Sequence, residues 1–156
     1  MKRDMNYKLL TILVISLFWL APVYSAPRIG NMYMATVIHV AEPNILVVEN
    51  LYTHHLDTVV ICGTRLSSNA VINYHGRLFV EHECLGDFIT VAPYGHDKYN
   101  RIVANIRTSK FRWLSYELIA QGYAYWYPQF DPNDSVSQEC EKWAKRHKSG
   151  VWRYAI

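Results

Sequence analysis

The stretch "HDKYNRIVANI", His96–Ile106, joins a polar loop to an alternation that puts Ile102, Ala104 and Ile106 on one face. A period of two marks a half-buried strand. The strand is entered through Arg101, which follows Lys98 and Tyr99 in the loop. That guanidinium is either presented to an anion or merely finishes a strand end. Upstream, "DFITVAPYG" (87–95) reads as the partner strand, so "HDKYN" becomes the connection between two strands.

Working outward, "MYMATVIHV" (32–40) alternates and is rich in β-branched residues. "AEPN" (41–44) breaks it as a turn, "ILVVEN" (45–50) resumes extended chain, "LYTHHLD" (51–57) is a polar connection, and "TVVICG" (58–63) is a third strand. From Ser68 to Leu85 the period lengthens: Val71, Tyr74, Leu78 and His82 recur at helical spacing behind Asn69 as a cap. "SKFRWLSYELIAQG" (109–122) is a second helix, with Trp113, Leu114, Leu118 and Ile119 inward and Gly122 as its stop. "YPQFDPNDS" (127–135) is a loop, and a third helix runs through "VSQECEKWAKRHKSG" (136–150), capped by Asp134 or Ser135 and stopped by Gly150. Three strands, a helix, two strands and two helices predict an α+β domain built on a five-stranded OB-fold barrel.

The N-terminus reads differently. "MKRDMNYK" is basic, "LLTILVISLFWLA" is an apolar run, and "PVYSA" ends in small residues. That order predicts a secretory signal peptide over 1–25, cut after Ser25, with the domain over 26–156 and a secreted or periplasmic destination. The apolar run falls short of the roughly 20 residues a bilayer span needs, so no membrane span is expected in the mature chain. The whole chain of 156 residues carries a formal charge of +3. Losing Lys2, Arg3, Lys8 and Asp4 leaves about +1, so most of the apparent basicity belongs to the signal and nucleic-acid binding has to be argued from elsewhere. Local basicity persists at Lys142, Lys145, Arg146, His147, Lys148 and Arg153.

Three cysteines, Cys62, Cys84 and Cys140, allow one disulfide and one free thiol. Cys62 with Cys84 is the expected pair, because each ends a core element. "EHEC", Glu81–Cys84, lacks a second ligand pair at finger spacing and does not predict zinc. His54 and His55 fall in a hairpin, His75 and His82 on one helix, and His96 beside Asp97. None of the common hydrolase, metalloprotease or phosphate-loop motifs accompanies them.

With the elements in place, the chain resembles the staphylococcal nuclease, or thermonuclease-like, family from about Met34 to Trp152. "DKYNRIVANI" is similar to the family's "DRYGRxLAxV", "LSYELIAQGYA" to "VNxxLVxxGLA", "EKWAKRHKSGVW" to "AxxxxxGLW", and "TVVICG" to "VRLIG". The resemblance implies calcium-dependent cleavage of phosphodiesters by two metal-binding acids, a glutamate that activates water and two arginines. Calcium requires several hard oxygen ligands, and charge building on phosphorus is met by guanidinium forks.

Residue by residue, that apparatus is depleted. Against the family's "DGDT" the chain has "AEPN", which puts Pro43 at the metal-binding aspartate. Against "RLIGIDAPE" it has "VICGTRLSS", with Val60 at the first arginine, Arg65 at the second metal-binding aspartate and Ser68 at the glutamate. Arg101 alone matches the catalytic set, with Lys98 and Tyr99 before it. The expectation is a vestigial site without catalysis, holding no metal and needing no cofactor. Its expected partner is single-stranded nucleic acid, with Lys98 and Arg101 on phosphates and Tyr99, Tyr125, Tyr127 and Phe130 on bases. An envelope protein is the other candidate partner, and "YAYWYPQF" can instead seal the core. The alternative is an active calcium-dependent endonuclease whose metal sits among Glu42, Asp57 or Asp97, with Arg101 on the phosphate.

Overall fold

A computed structural model describes residues 31–154. The expected signal peptide lies outside them, as do the last two residues. Five strands close into a barrel in the order β1-β2-β3-β6-β5: β1 Tyr33–Glu42, β2 Ile45–Asn50, β3 Leu56–Ile61, β5 Phe88–His96 and β6 Ile102–Arg107. β3 and β6 pair in parallel through Val59↔Ile102 and Ile61↔Ala104, while the other barrel ladders are antiparallel. The expected OB-type barrel with three helices is therefore the observed fold.

Inward residues alternate along each strand and fill the barrel with Ala35, Val37, Val40, Leu46, Val48, Val59, Ile61, Ile89, Val91, Ala104 and Ile106. Strict alternation along β1 would carry His39 inward. A register shift between Val37 and His39 inserts Ile38 as an extra residue, turning His39 out and Val40 in.

Helix α1, Ala70–Cys84, begins where expected: the Asn69 side chain accepts the N–H groups of Val71 and Ile72. Its inward face differs from the sequence reading. Val71 and Tyr74 are more than half exposed. Gly76, Val80, Glu83 and Cys84 are buried instead. Gly76 lets the helix lie against Pro43 and Tyr123, where even a methyl would stand 3.0–3.1 Å from their side chains. Glu83 tolerates burial because Arg112 and Lys110 reach it, Lys110 at 3.3 Å. Burial pushes its pKa up, but the hydrogen bond from Lys110, the charges of Arg112 and Lys110 and a bond from His82 outweigh that and lower it.

Helix α2 is shorter than expected, Leu114–Ala120. The preceding residues instead form a turn in which Thr108 N–H donates to Arg112 O and Phe111 takes a φ of 60°. Helix α3, Ser135–Arg146, is capped by Asp134, whose carboxylate accepts from Val136 and Ser137. A 3-10 turn, Gly150–Tyr154, folds its end back onto Gly122, and Val151 N–H donates to Gly122 O at 2.9 Å. A two-stranded ribbon that alternation is too short to announce, β4 Thr64–Arg65 with β7 Tyr125–Trp126, ties the end of β3 to the segment after α2.

The expected Cys62–Cys84 disulfide is not formed, and all three cysteines are free. Cys84 belongs to the barrel core, where its thiol donates to Val80 O at 3.2 Å. Cys62 lies elsewhere, in a groove with Tyr94, Phe130 and Asp134. Burial pushes both thiols up to about 12, so both are neutral and poor nucleophiles. Among the described residues no helix is long and apolar enough to cross a membrane.

Candidate nucleic-acid interface

The loop between β5 and β6 is organised by one carboxylate. Asp97 Oδ1 accepts the backbone N–H groups of Tyr99 and Arg101, each at 2.9 Å. Its Oδ2 accepts Arg101 Nε and Nη2, each at 2.7 Å. Asn100, at φ 60°, turns the chain so that Arg101 can fold back. Tyr99 stands 65% exposed, with Lys98 Nζ 4.9 Å and Arg101 Cζ 5.0 Å from its ring centre. Arg101 is thus neither idle nor free: two of its donors are taken by Asp97, and its face lies on a tyrosine.

What desolvation Asp97 suffers pushes its pKa up, yet the Arg101 side-chain bond, the two backbone N–H groups and the Arg101 charge prevail and lower it. A carboxyl depressed in the folded state stabilises the fold above its unfolded pKa, and that contribution is lost as pH falls through the folded value. NMR titration of the Asp97 side chain should give a midpoint below that of an unpaired aspartate. Arg101→Ala should move it upward. An unmoved midpoint would show that the pair is not formed in solution.

At the positions that the resemblance gives to the metal, the donors do not fit calcium. Pro43 offers no oxygen from its side chain and packs against Gly76. Its neighbour Asn44 is buried and donates to Thr64 Oγ1 at 3.3 Å, while Thr64 donates to Ile61 O at 2.8 Å. This neutral bridge spans the β1–β2 turn and β4. Arg65 brings a cation. Val60 is a ladder residue paired with Ile45 and Val103. Ser68 lies in the connection before α1 and supplies a hydroxyl where a carboxylate would be needed. Asp57 accepts from Tyr33 OH at 3.2 Å, and Asp97 is engaged by Arg101, so neither gathers with Glu42. Among the described residues no three His, Cys, Asp or Glu side chains come together as a metal site. "EHEC" likewise splays apart: Glu81 pairs with Arg77, Glu83 with Arg112, and Cys84 enters the core.

The C-terminal aromatics divide between core and surface. Tyr123 packs on the core with Phe79, their rings 5.5 Å apart, and Ala124 is fully buried. Tyr125, Trp126 and Tyr127 instead line a groove of about 540 Å³ with Arg65, Glu141 and Trp152. Pairing of Arg65 with Tyr125 in the β4–β7 ribbon sets the guanidinium 5.0 Å from the tyrosine ring centre. Tyr125 meets Trp152 edge-on at 5.2 Å, and Lys145 Nζ stands 4.4 Å over Trp152. Tyr127 N–H donates to Gly63 O, and Phe130 lies against Tyr94 at 5.3 Å.

The candidates therefore fall into two groups, Lys98–Tyr99–Arg101 on one loop and Tyr125–Tyr127 in the groove. Sequence reasoning missed Arg65, Lys145 and Trp152 as groove residues. The basic tail and the terminal "GVW" were visible, but nothing local indicates that they meet β7. Chemically, the surface offers fixed cations beside aromatic faces, which suits a stacked, anionic chain rather than a dication.

A family profile described as staphylococcal nuclease homologue matches residues 73–154. That span includes Lys98, Tyr99, Arg101, Tyr125 and Tyr127, and begins after Pro43, Val60, Arg65 and Ser68. Among curated proteins, a relative named "Probable endonuclease LCL3" from Eremothecium gossypii is 40% identical over 76 residues, covering 44% of this chain and 28% of the relative. Proteins of the same name from Scheffersomyces stipitis and Candida tropicalis are 35% identical over 75 residues and 32% over 77. The matches cover 42% and 43% of this chain, and 31% and 32% of those relatives. The chain thus spans about three tenths of the length of the curated relatives it matches.

Proposed function

Because the chain belongs to the family of staphylococcal nuclease homologues, we propose that it is a nuclease-fold domain that binds single-stranded nucleic acid without hydrolysing it. It would act in the envelope or outside the cell, as its N-terminal segment predicts. One observation carries the reading: proline and a tyrosine-stacked arginine stand where the family resemblance calls for metal-binding carboxylates. Tyr99 beside Lys98 and the Tyr125–Tyr127 groove beside Arg65 supply the stacking faces and positive charge that single-strand binding requires. No cofactor is needed for that role.

Binding of this kind releases counterions, so affinity for a labelled single-stranded oligonucleotide should fall steeply between about 50 and 200 mM salt. A salt-independent signal, or none, would argue against nucleic acid as the ligand, and a pull-down from an envelope extract would test the other candidate partner. A second reading, hydrolysis by a rearranged site, is favoured by the relatives' name of probable endonuclease. DNA digestion requiring both calcium and Arg101 would replace the first reading with this one.

A further inference from the structure

We infer that Arg65 is a built-in phosphate anchor, so that a single-stranded nucleic acid is gripped in the groove beside Tyr125 and Trp152 without any divalent ion. The inference rests on the nucleic-acid-binding reading and goes beyond it, because it assigns the cation that does the gripping. By position, a guanidinium fixed to the ribbon takes the place that the family resemblance gives to a metal ligand.

Arg65 has its charge available where other arginines do not. Arg77 is paired with Glu81, Arg101 with Asp97, and Arg112 with Glu83 and Glu117. Among the described residues, Arg65, Arg107, Arg146 and Arg153 have no carboxylate within 4.0 Å, and of these four Arg65 is the one that lines the groove. It is exposed to solvent, so its charge is presented outward rather than neutralised. Arg101, the family's phosphate arginine by resemblance, is the opposite case, with Nε and Nη2 both given to Asp97.

Pre-organisation adds to this. A lone surface arginine loses rotamer freedom on binding. Arg65 has already lost part of it, because its backbone pairs with Tyr125 and its guanidinium lies over that ring at 5.0 Å. A guanidinium held against a ring, with no carboxylate on its N–H groups, keeps those donors for the two oxygens of a phosphate.

The composition of the groove fits as well. Its volume of about 540 Å³ lies within the usual range for small-ligand sites and has room for a nucleotide unit. Tyr125, Tyr127 and Trp152 supply aromatic faces, and Lys145 over Trp152 balances the groove's carboxylate, so that the net positive charge is that of Arg65. The one carboxylate lining it, Glu141, is paired with Lys145 at 2.8 Å and accepts Trp126 N–H at 3.3 Å, so its charge is largely offset.

The test is fluorescence anisotropy of a fluorescein-labelled oligothymidylate with the full protein, in chelator and then in calcium. Affinity should be the same in both. Arg65→Gln should weaken binding by about 10- to 100-fold, the loss of a charge-assisted bidentate contact. It should also reduce the slope of log affinity against log salt by about 0.7. Arg65→Lys keeps a cation against Tyr125 and guards against a folding defect; it should keep the slope and bind more weakly than wild type. Wild-type affinity and slope in Arg65→Gln, alongside weakening by Lys98→Gln, overturns the assignment of Arg65 and leaves nucleic-acid binding standing. Binding that appears only with calcium overturns the anchor. Absence of binding under every condition overturns both.

Discussion

Single-stranded DNA incubated with this protein and millimolar calcium is expected to survive intact. Removal of one group that stabilises transition-state charge costs about 10²–10³ in rate. By the family resemblance, Pro43 and Arg65 stand at the two metal-ligand positions, Ser68 at the water-activating glutamate and Val60 at the first arginine. Groups that act as a unit do not multiply their losses. A deficit of at least about 10³-fold relative to a family member with the full set is therefore the conservative expectation. Arg65 makes the deficit hard to bypass, because a dication entering beside it would face a like charge at short range. The measurement is gel analysis of end-labelled DNA with calcium, with chelator and with Arg101→Ala. Cleavage that depends on calcium and vanishes in Arg101→Ala would show that Glu42, Asp57 or Asp97 can regroup, although Tyr33 holds Asp57 and Arg101 holds Asp97.

The second large effect is structural. Gly150→Ala should lower the thermal midpoint by roughly 10–20 °C, corresponding to about 3–5 kcal/mol for a domain of this size. Gly122 and Gly150 have φ of 71° and 50° and face each other so closely that a methyl at Gly150 would overlap the Gly122 carbonyl. A left-handed conformation costs a residue with a side chain roughly 1–2 kcal/mol. Relieving the overlap would also break the bond from Val151 N–H to Gly122 O. Because that contact holds the turn carrying Trp152, the same variant should loosen the groove. Gly86→Ala is the control: its φ is 79° but nothing lies within 4 Å of the added methyl, so only the backbone strain applies. Equal midpoints for the two variants would refute the close-approach account.

The order of elements was legible because it is written locally. Asn69 and Asp134 cap the helices they precede, Gly122 stops α2, and the alternations in β1, β2, β3, β5 and β6 set their inward faces. Sequence likewise showed the residue types at the positions where the resemblance expects carboxylates, namely Pro43, Arg65 and Ser68. Helix α1 marks where this legibility ends. Its period was plain, but its inward face was not, because that face holds a glycine and a glutamate that no count of apolar residues selects. Gly76 is inward because Pro43 and Tyr123 need the space, and Glu83 because Arg112 and Lys110, nearly 30 residues away, compensate its charge.

The candidate site divides along the same line. Sequence by itself determined that Arg101 opens a strand and that its loop is cationic and aromatic, and the family resemblance set Pro43 and Arg65 at the metal-binding positions. Only the tertiary structure decided that Asp97 occupies Arg101 while Arg65, against Tyr125, has no carboxylate within 4.0 Å. It alone joined β4, β7, α3 and the terminal turn into one groove, and kept Cys62 and Cys84 apart as free thiols. The physical reason is range. Backbone preference and capping are settled among residues a few positions apart. Ion pairs, ring contacts and thiol proximity depend on which distant segments the closed barrel brings together.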